Sequence, residues 1–420
     1  MGSDTEDATV SKYSWIDFAF SVMGVCTFLI DWGSDVWVAT EFYRRGDVFW
    51  FGVLVGLMLL SSAVVQMFSW FWLKYDRGLP GFSAERRAGT VLFGDKVKIS
   101  CLLHLLQLGF LCRQISAIRQ GFRVWWRKEE GSEYAVYLTH DLSMLRLIET
   151  FCESAPQLTL MIYVMLSSNK ARTFQFVSIT ASITSIAWMV VDYHRSLRSF
   201  LPDKAKQNWG SSMIYFLWNL LLIASRVASL ALFASVLHGY IAAHFLMLWF
   251  VFVLWVWQQK TAFMDSTGGE WLYRATVGLI WYFSWFNVAE GRTRARSLIY
   301  HFFIATDGVI LLGTWWLFRD PFQTESYDLA LIIALPLTYL LGLLFKALYY
   351  CCFHPTLWRP PVRDQRLPVD MPDSVSFRNI SMQDSTLSSQ LFNKRMACHA
   401  SNFYSKQRNT DGKNRAELYL

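Results

Sequence analysis

The sequence predicts an all-α polytopic membrane protein, with about eight transmembrane helices and two re-entrant, half-inserted helices in two pseudo-repeats. Three observations carry this reading. Hydrophobic residues make up 54% of the 420 residues and charged residues only 17%, with a mean hydropathy of +0.26, which is membrane-class composition. Apolar runs long enough to cross a hydrocarbon core of about 30 Å recur along the whole chain. The 20 Trp, 18 Tyr and 33 Phe suit belts at the membrane–water interface. The net charge of +7 comes from basic residues at the ends of apolar runs, where the positive-inside rule expects them, so it does not signal nucleic acid.

A short cytosolic N-terminus, residues 1–12, precedes the first run. That run is too long for a signal-peptide core and has no basic lead. Met1-Gly2 is followed by Glu6 where myristoylation needs Ser or Thr. Crossings are predicted near 13–38, 48–73, 140–168, 173–193, 209–237, 239–259, 297–318 and 327–349. Two further runs, 99–118 and 271–290, have positive charge at both ends: Lys96 and Lys98 before Arg119 and Arg123, and Lys260 and Arg274 before Arg292, Arg294 and Arg296. Both are therefore expected to enter and leave on the cytosolic side. Their polar residues, His104, Gln107, Arg113 and Asn287, fit a protein-lined placement. Eight crossings put both termini in the cytosol.

The order span, span, re-entrant, span, span occurs twice. It predicts an N-terminal helical repeat, 13–207, and a C-terminal helical repeat, 208–351, followed by a cytosolic regulatory tail, 352–420. Trp70-Phe71-Trp72 before Lys74 and Trp255-Val256-Trp257 before Lys260 support the repeat, and Glu153 then aligns with Asp307. None of the seven cysteines, at 26, 101, 112, 152, 351, 352 and 398, falls in an outer joint. Reduced thiols are expected, with Cys351-Cys352 a juxtamembrane pair of the palmitoylated type.

The apolar runs carry charges that a membrane helix does not hold without reason. On the first run Asp17 and Asp31 fall within roughly 40° of each other, with Asp35 one turn on, giving an acidic stripe about 27 Å long. Each carboxylate costs at least about 2.5 kcal/mol at mid-bilayer, so the stripe needs partners, water or lipid headgroups. In the third run Arg146, Glu149, Glu153 and Gln157 share one helix face. Pro156 cannot bond the carbonyl of Cys152, which adds polarity beside Glu153. Asp192, Arg195 and Arg198 close the fourth run, and Arg226 and Asp307 lie deep in the fifth and seventh. These groups form either a polar track or ion pairs that hold the bundle together. Deep solitary charges need each other or the acids of the first crossing. No Walker A loop, GxGxxG, HExxH or GxSxG motif occurs and the eight His are not spaced as metal ligands, so neither an enzyme nor a cofactor is expected.

Four stretches carry a resemblance: Phe28-Leu29-Ile30-Asp31-Trp32-Gly33-Ser34-Asp35, Leu103-His104-Leu105-Leu106-Gln107-Leu108-Gly109, Glu149 to Leu160 with Glu153-Ser154-Ala155-Pro156-Gln157 at its centre, and Tyr282-Phe283-Ser284-Trp285-Phe286-Asn287-Val288-Ala289-Glu290-Gly291-Arg292-Thr293. Over roughly residues 13–355 the chain resembles the XK-related family of membrane proteins. The resemblance implies a caspase-activated phospholipid scramblase with eight crossings and two half-inserted helices. It also implies a charged track for lipid headgroups on Asp17, Asp31, Asp35, Glu149, Glu153, Asp192, Arg226 and Asp307, with packing ion pairs the alternative for Asp192 and Arg226. A single-pass chaperone of the basigin or neuroplastin kind is implied as partner.

The tail is polar and lacks a spanning run. It holds Asp370-Met371-Pro372-Asp373-Ser374, a DxxD and small-residue pattern that suits an executioner caspase, with cleavage after Asp370 the runner-up. Arg378 before Ser381 fits a basophilic kinase, and Asn379-Ile380-Ser381 is a sequon on the cytosolic side. The function expected is phosphatidylserine exposure by an ATP-independent scramblase in the plasma membrane after tail cleavage. The alternatives are a secondary transporter of a small charged solute and a structural partner of another membrane protein. The disulfide-linked version of the last is disfavoured by the lack of an outer cysteine.

Overall fold

The computed structural model describes residues 13, 15–76, 97–127, 132–168, 173–200, 207–261, 263–264, 266–288, 293–325 and 327–354. Among the described residues every regular element is helical. Seven stretches are long and apolar enough to cross a membrane: Asp17–Arg44, Val48–Lys74, Gln175–Arg198, Trp209–Val236, Tyr240–Gln258, Thr293–Phe318 and Asp328–Phe353. A sharply bent helix pair makes up to eight if it counts as one span. The protein is an all-α, multi-pass membrane protein.

The described contacts fall into two compact units. One lies within Met1–Gln157, Ala181–Leu220 and Gly342–Asn393, and the other within Leu158–Thr180, Leu221–Leu341 and Lys394–Leu420.

In the first unit, α1 (Trp15–Arg44) and α2 (Val48–Asp76) are joined by a reversal at Gly46, whose φ of +78° is a conformation glycine adopts without steric cost. The first segment expected to be re-entrant is a helix pair, α3 (Val97–Leu105) and α4 (Gly109–Trp126), bent by 115°. The bend is built from the residues of the Leu103–Gly109 stretch. Gln107 takes a left-handed φ of +64°, and a Cβ at Gly109 would collide with the His104 ring. The broken backbone is satisfied by α2. Gln66 Nε2 donates to the Gln107 carbonyl at 2.9 Å, and Gln66 Oε1 accepts from Phe110 N at 3.2 Å. Ser62 donates to the Gln107 side chain. His104 Nδ1 donates to the Ser100 carbonyl at 2.7 Å, which leaves Nε2 to accept from Ser69 Oγ at 3.0 Å.

The third predicted crossing is interrupted. Helix α5 (Ser132–Cys152) and helix α6 (Ser154–Ser168) meet at Glu153, one turn before Pro156, where the proline denies the Cys152 carbonyl its partner. The backbone bonds resume on either side, Glu153 N to Glu149 O at 2.8 Å and Gln157 N to Glu153 O at 3.0 Å. Helix α5 is buried nearly all round, polar His140, Asp141, Ser143 and Arg146 along with Leu142, Leu145 and Ile148, so it is the centre of this unit and not a lipid-facing span. Helix α7 (Thr173–Phe200) follows, and its His194 stacks on Tyr215 at 4.2 Å.

In the second unit, helix α8 (Trp209–Val236) contributes its second half and α9 (Tyr240–Gln258) follows through a short joint. The second segment expected to be re-entrant has another form. Its helix, α10 (Thr267–Phe283), is capped by Ser266, whose Oγ accepts from Gly269 N at 3.1 Å, and by Glu270, which accepts from Met264 N at 2.7 Å. The chain then turns extended at Ser284. Trp281 holds this exit: its Nε1 donates to Phe286 O at 2.6 Å, Tyr300 donates to its carbonyl at 2.7 Å, and Trp285 stacks on it at 5.3 Å. The described start of the Tyr282–Thr293 stretch, Tyr282–Val288, thus leaves the helix as non-helical chain. Helices α11 (Thr293–Phe318), α12 (Pro321–Thr324) and the part of α13 (Asp328–Leu348) up to Leu341 belong to this unit, whereas the end of α13 and the π-helical turn that follows it, Tyr349–Phe353, belong to the first. Leu232, Leu312, Trp315 and Leu335 form one buried hydrophobic cluster of the second unit.

Gln66 is 6% exposed and serves two backbone groups at once. Gln66→Leu should therefore cost about 1–3 kcal/mol for each buried group left unsatisfied, lowering the apparent melting temperature in detergent by several degrees. Ser62→Ala should cost less, because the bond it removes is between side chains at a more exposed edge.

Candidate functional site

The acidic stripe of α1 meets α5 and α7 inside the first unit. Arg146 of α5 is the pivot. Its guanidinium occupies the space where a Cβ at Gly24 would stand, and its Nη2 donates to the Ser21 carbonyl at 3.2 Å. The other nitrogen, Nη1, is 3.8 Å from Asp192 on α7. Arg146 is 4% exposed, and its Nε has no hydrogen-bond partner.

Beside it lies a small cleft of about 20 Å³, room for about one water, lined by Gly24, Asp31, Arg146, Glu149, Ser154 and Ser185. Asp31 accepts from Ser154 Oγ at 2.9 Å. One turn further along α1, buried Asp35 faces Glu153 and Gln157 at the α5–α6 break. Toward the start of α1, Asp17 acts on Asp192 and on Arg195, whose guanidinium lies 4.6 Å above the Phe20 ring. Six of the predicted residues, Asp17, Asp31, Asp35, Glu149, Glu153 and Asp192, thus gather in one unit around two cations, Arg146 and Arg195. Carboxylates outnumber guanidinium groups, and burying them in that ratio is costly unless a further cation, protons or water enter.

Arg226 and Asp307 lie in the second unit and pair with each other. Arg226 Nε donates to the Tyr282 carbonyl at 2.9 Å. His244 bridges Asp307 and the Tyr282 hydroxyl at 3.0 Å each. The network ties α8, α9, α10 and α11 together. Asp370, Asp373 and Ser374 lie outside the described residues.

Sequence spacing does not single out Gly24, Asp141, His244 or Tyr282 as polar partners. Asp141, fully buried, pairs with Arg113 and joins α4 to α5. His244 carries a readable signal as the single His of an otherwise apolar run. Gly24 carries none, since its role appears only when a guanidinium from a helix more than a hundred residues away lies against it. Among the described residues no group of three or more His, Cys, Asp or Glu is placed to hold a metal ion.

A family model described as XK-related protein matches residues 19–355, which hold every residue of this charged core except Asp17. The chain belongs to the XK-related family. It is 75% identical over 403 residues to XK-related protein 8 of Gasterosteus aculeatus, covering 96% of this chain and 100% of the relative. Against XK-related protein 8 of Tetraodon nigroviridis the identity is 73% over 401 residues, with 95% and 99% covered. Against that of Pan troglodytes it is 44% over 351 residues, with 82% and 86% covered.

The position of Arg146 generates a matched pair of variants in this XK-related chain. Gly24→Ala forces the guanidinium away from α1 and should cost about 1–3 kcal/mol, read as a lower apparent melting temperature. Gly33→Ala, where a Cβ meets nothing within 4 Å, should leave that temperature unchanged.

Proposed function

We propose that the protein is an ATP-independent phospholipid scramblase of the plasma membrane, with both termini cytosolic, which exposes phosphatidylserine after an executioner caspase cuts its tail behind Asp373. It performs no covalent chemistry. The observation that carries this reading is the acid-rich cleft of α1, α5 and α7. A headgroup stripped of water inside a bilayer loses several kcal/mol unless polar partners replace the water. The cleft presents such partners in complementary form: Arg146 to a phosphate, Asp31 and Glu149 to an ammonium. Acyl tails stay in lipid while the headgroup passes from one polar contact to the next, so the barrier falls and the equilibrium between leaflets is untouched. Membership of the XK-related family supports the same reading. A single-pass chaperone of the basigin or neuroplastin kind completes the proposed assembly, and Asp192 and Arg226 act in it through the ion pairs that set the helices.

Reconstituted liposomes test this directly. The tail-cleaved protein should bring fluorescent lipid from the inner leaflet within reach of a membrane-impermeant quencher. Asp31→Asn with Asp35→Asn should slow that process about tenfold, a barrier rise of about 1.4 kcal/mol, with surface expression unchanged. Uptake of a charged solute with an unaltered lipid signal would overturn the proposal in favour of transport.

The switch has its own test. A chain ending at Asp373 should scramble without caspase, whereas Asp373→Ala should block both tail cleavage and lipid exposure in apoptotic cells. If Asp373→Ala cells lose the tail and expose lipid as before, the cut lies at Asp370 or another acid. Exposure with the tail still attached removes caspase control altogether.

A further inference from the structure

The last described turn of the chain is built differently from the helix that leads into it. Helix α13 widens after Leu348 into the π-helical turn Tyr349–Phe353, and Tyr349 pins that turn in place. Tyr349 is 1% exposed. Its ring sits 4.9 Å from Trp218 and 5.4 Å from Tyr215, both edge-on, and Gln207 Nε2 donates to its hydroxyl at 3.4 Å. With one residue of the turn fixed inward, the following residues point outward: Tyr350, 53% exposed, then Cys351 and Cys352, both exposed free thiols.

These thiols stand at the end of a spanning segment. Asp328–Phe353 is 26 residues, about 39 Å of helix, which exceeds a hydrocarbon core of about 30 Å. Its final turn therefore emerges at headgroup level. The charges at the two ends orient it. One basic residue, Arg319, stands in the joint before the span and three, Arg359, Arg363 and Arg366, follow it, so the positive-inside rule places the thiols on the cytosolic side. Other exposed thiols lack this setting: Cys26 is midway along α1 and Cys101 lies within α3.

We infer that Cys351 and Cys352 form a dual S-acylation site. Each thiol loses its proton to a base and attacks the carbonyl of a long-chain fatty acyl thioester of coenzyme A. The new carbon–sulfur bond forms as the donor's bond breaks, and the coenzyme A thiolate leaves and takes up a proton. Two adjacent chains give a stable anchor where one gives only marginal, reversible binding. The product would fasten the junction between α13 and the polar tail to the cytosolic leaflet. This inference does not depend on the scramblase reading.

Acyl exchange on the full-length protein from cultured vertebrate cells tests it. Free thiols are blocked with N-ethylmaleimide, thioesters are opened with neutral hydroxylamine, and the freed thiols are given a PEG-maleimide mass tag before immunoblotting. The wild type should show a hydroxylamine-dependent band shifted by two tags, Cys351→Ser and Cys352→Ser one tag each, and the double variant none. Serine at two exposed positions removes no buried contact, and the unshifted band reports each variant's yield in the same lane. An unshifted wild type overturns the inference. So does a shift that persists in the double variant, which would move the acyl chains to another cysteine. A single shift abolished by only one of the two substitutions overturns the dual site.

Discussion

Arg146 is the residue on which the charged half of the molecule turns. A guanidinium buried among helices is costly unless acceptors compensate it. Here it takes the backbone of α1 through Ser21, the carboxylate of α7 through Asp192, and a place beside Glu149 on its own helix. That position exists because residue 24 has no side chain. The approach of α1 to α5 sets where Asp31 meets Ser154 and where Asp35 meets Glu153. The seat of Arg146 at the edge of the cleft depends on one missing methyl group.

The two units solve the problem of buried charge in opposite ways. In the second, Arg226, Asp307, His244 and Tyr282 form a closed set in which a carboxylate is met by a guanidinium and an imidazole. Such a set holds α8, α9, α10 and α11 in register. In the first, carboxylates exceed cations around an open cleft. A closed set has no capacity left for a passing molecule, whereas an unbalanced and open one does. On the proposed reading, this asymmetry assigns headgroup passage to the first unit and bracing to the second.

Composition and apolar run length carry the membrane class and most of the span boundaries, because those depend only on transfer of side chains from water. The acidic stripe of α1 is likewise legible, since helical periodicity alone puts Asp17, Asp31 and Asp35 on one side. The break at Glu153 is foreshadowed by Pro156. Tertiary accommodation is not legible in the same way. Nothing local marks Gln66 as the clamp on the Gln107 turn or Gly24 as the bed of Arg146, because both roles come from helices distant in sequence. The two segments with basic residues at both ends also differ: one is a bent helix pair and the other a single helix with an extended exit. Flanking charge determines on which side a segment begins and ends, while the path between depends on which neighbour satisfies its backbone.

Helix α5 bears on how the chain enters a membrane in the first place. It carries Asp141, Arg146 and Glu149 and is covered by protein on nearly all sides, so as an isolated segment leaving the translocon it would partition poorly into lipid. Its insertion must wait for the helices that neutralise it: α4 supplies Arg113, α1 supplies the Ser21 carbonyl and α7 supplies Asp192. Since α7 is made after α5, Arg146 cannot meet Asp192 until the later helix has been synthesised.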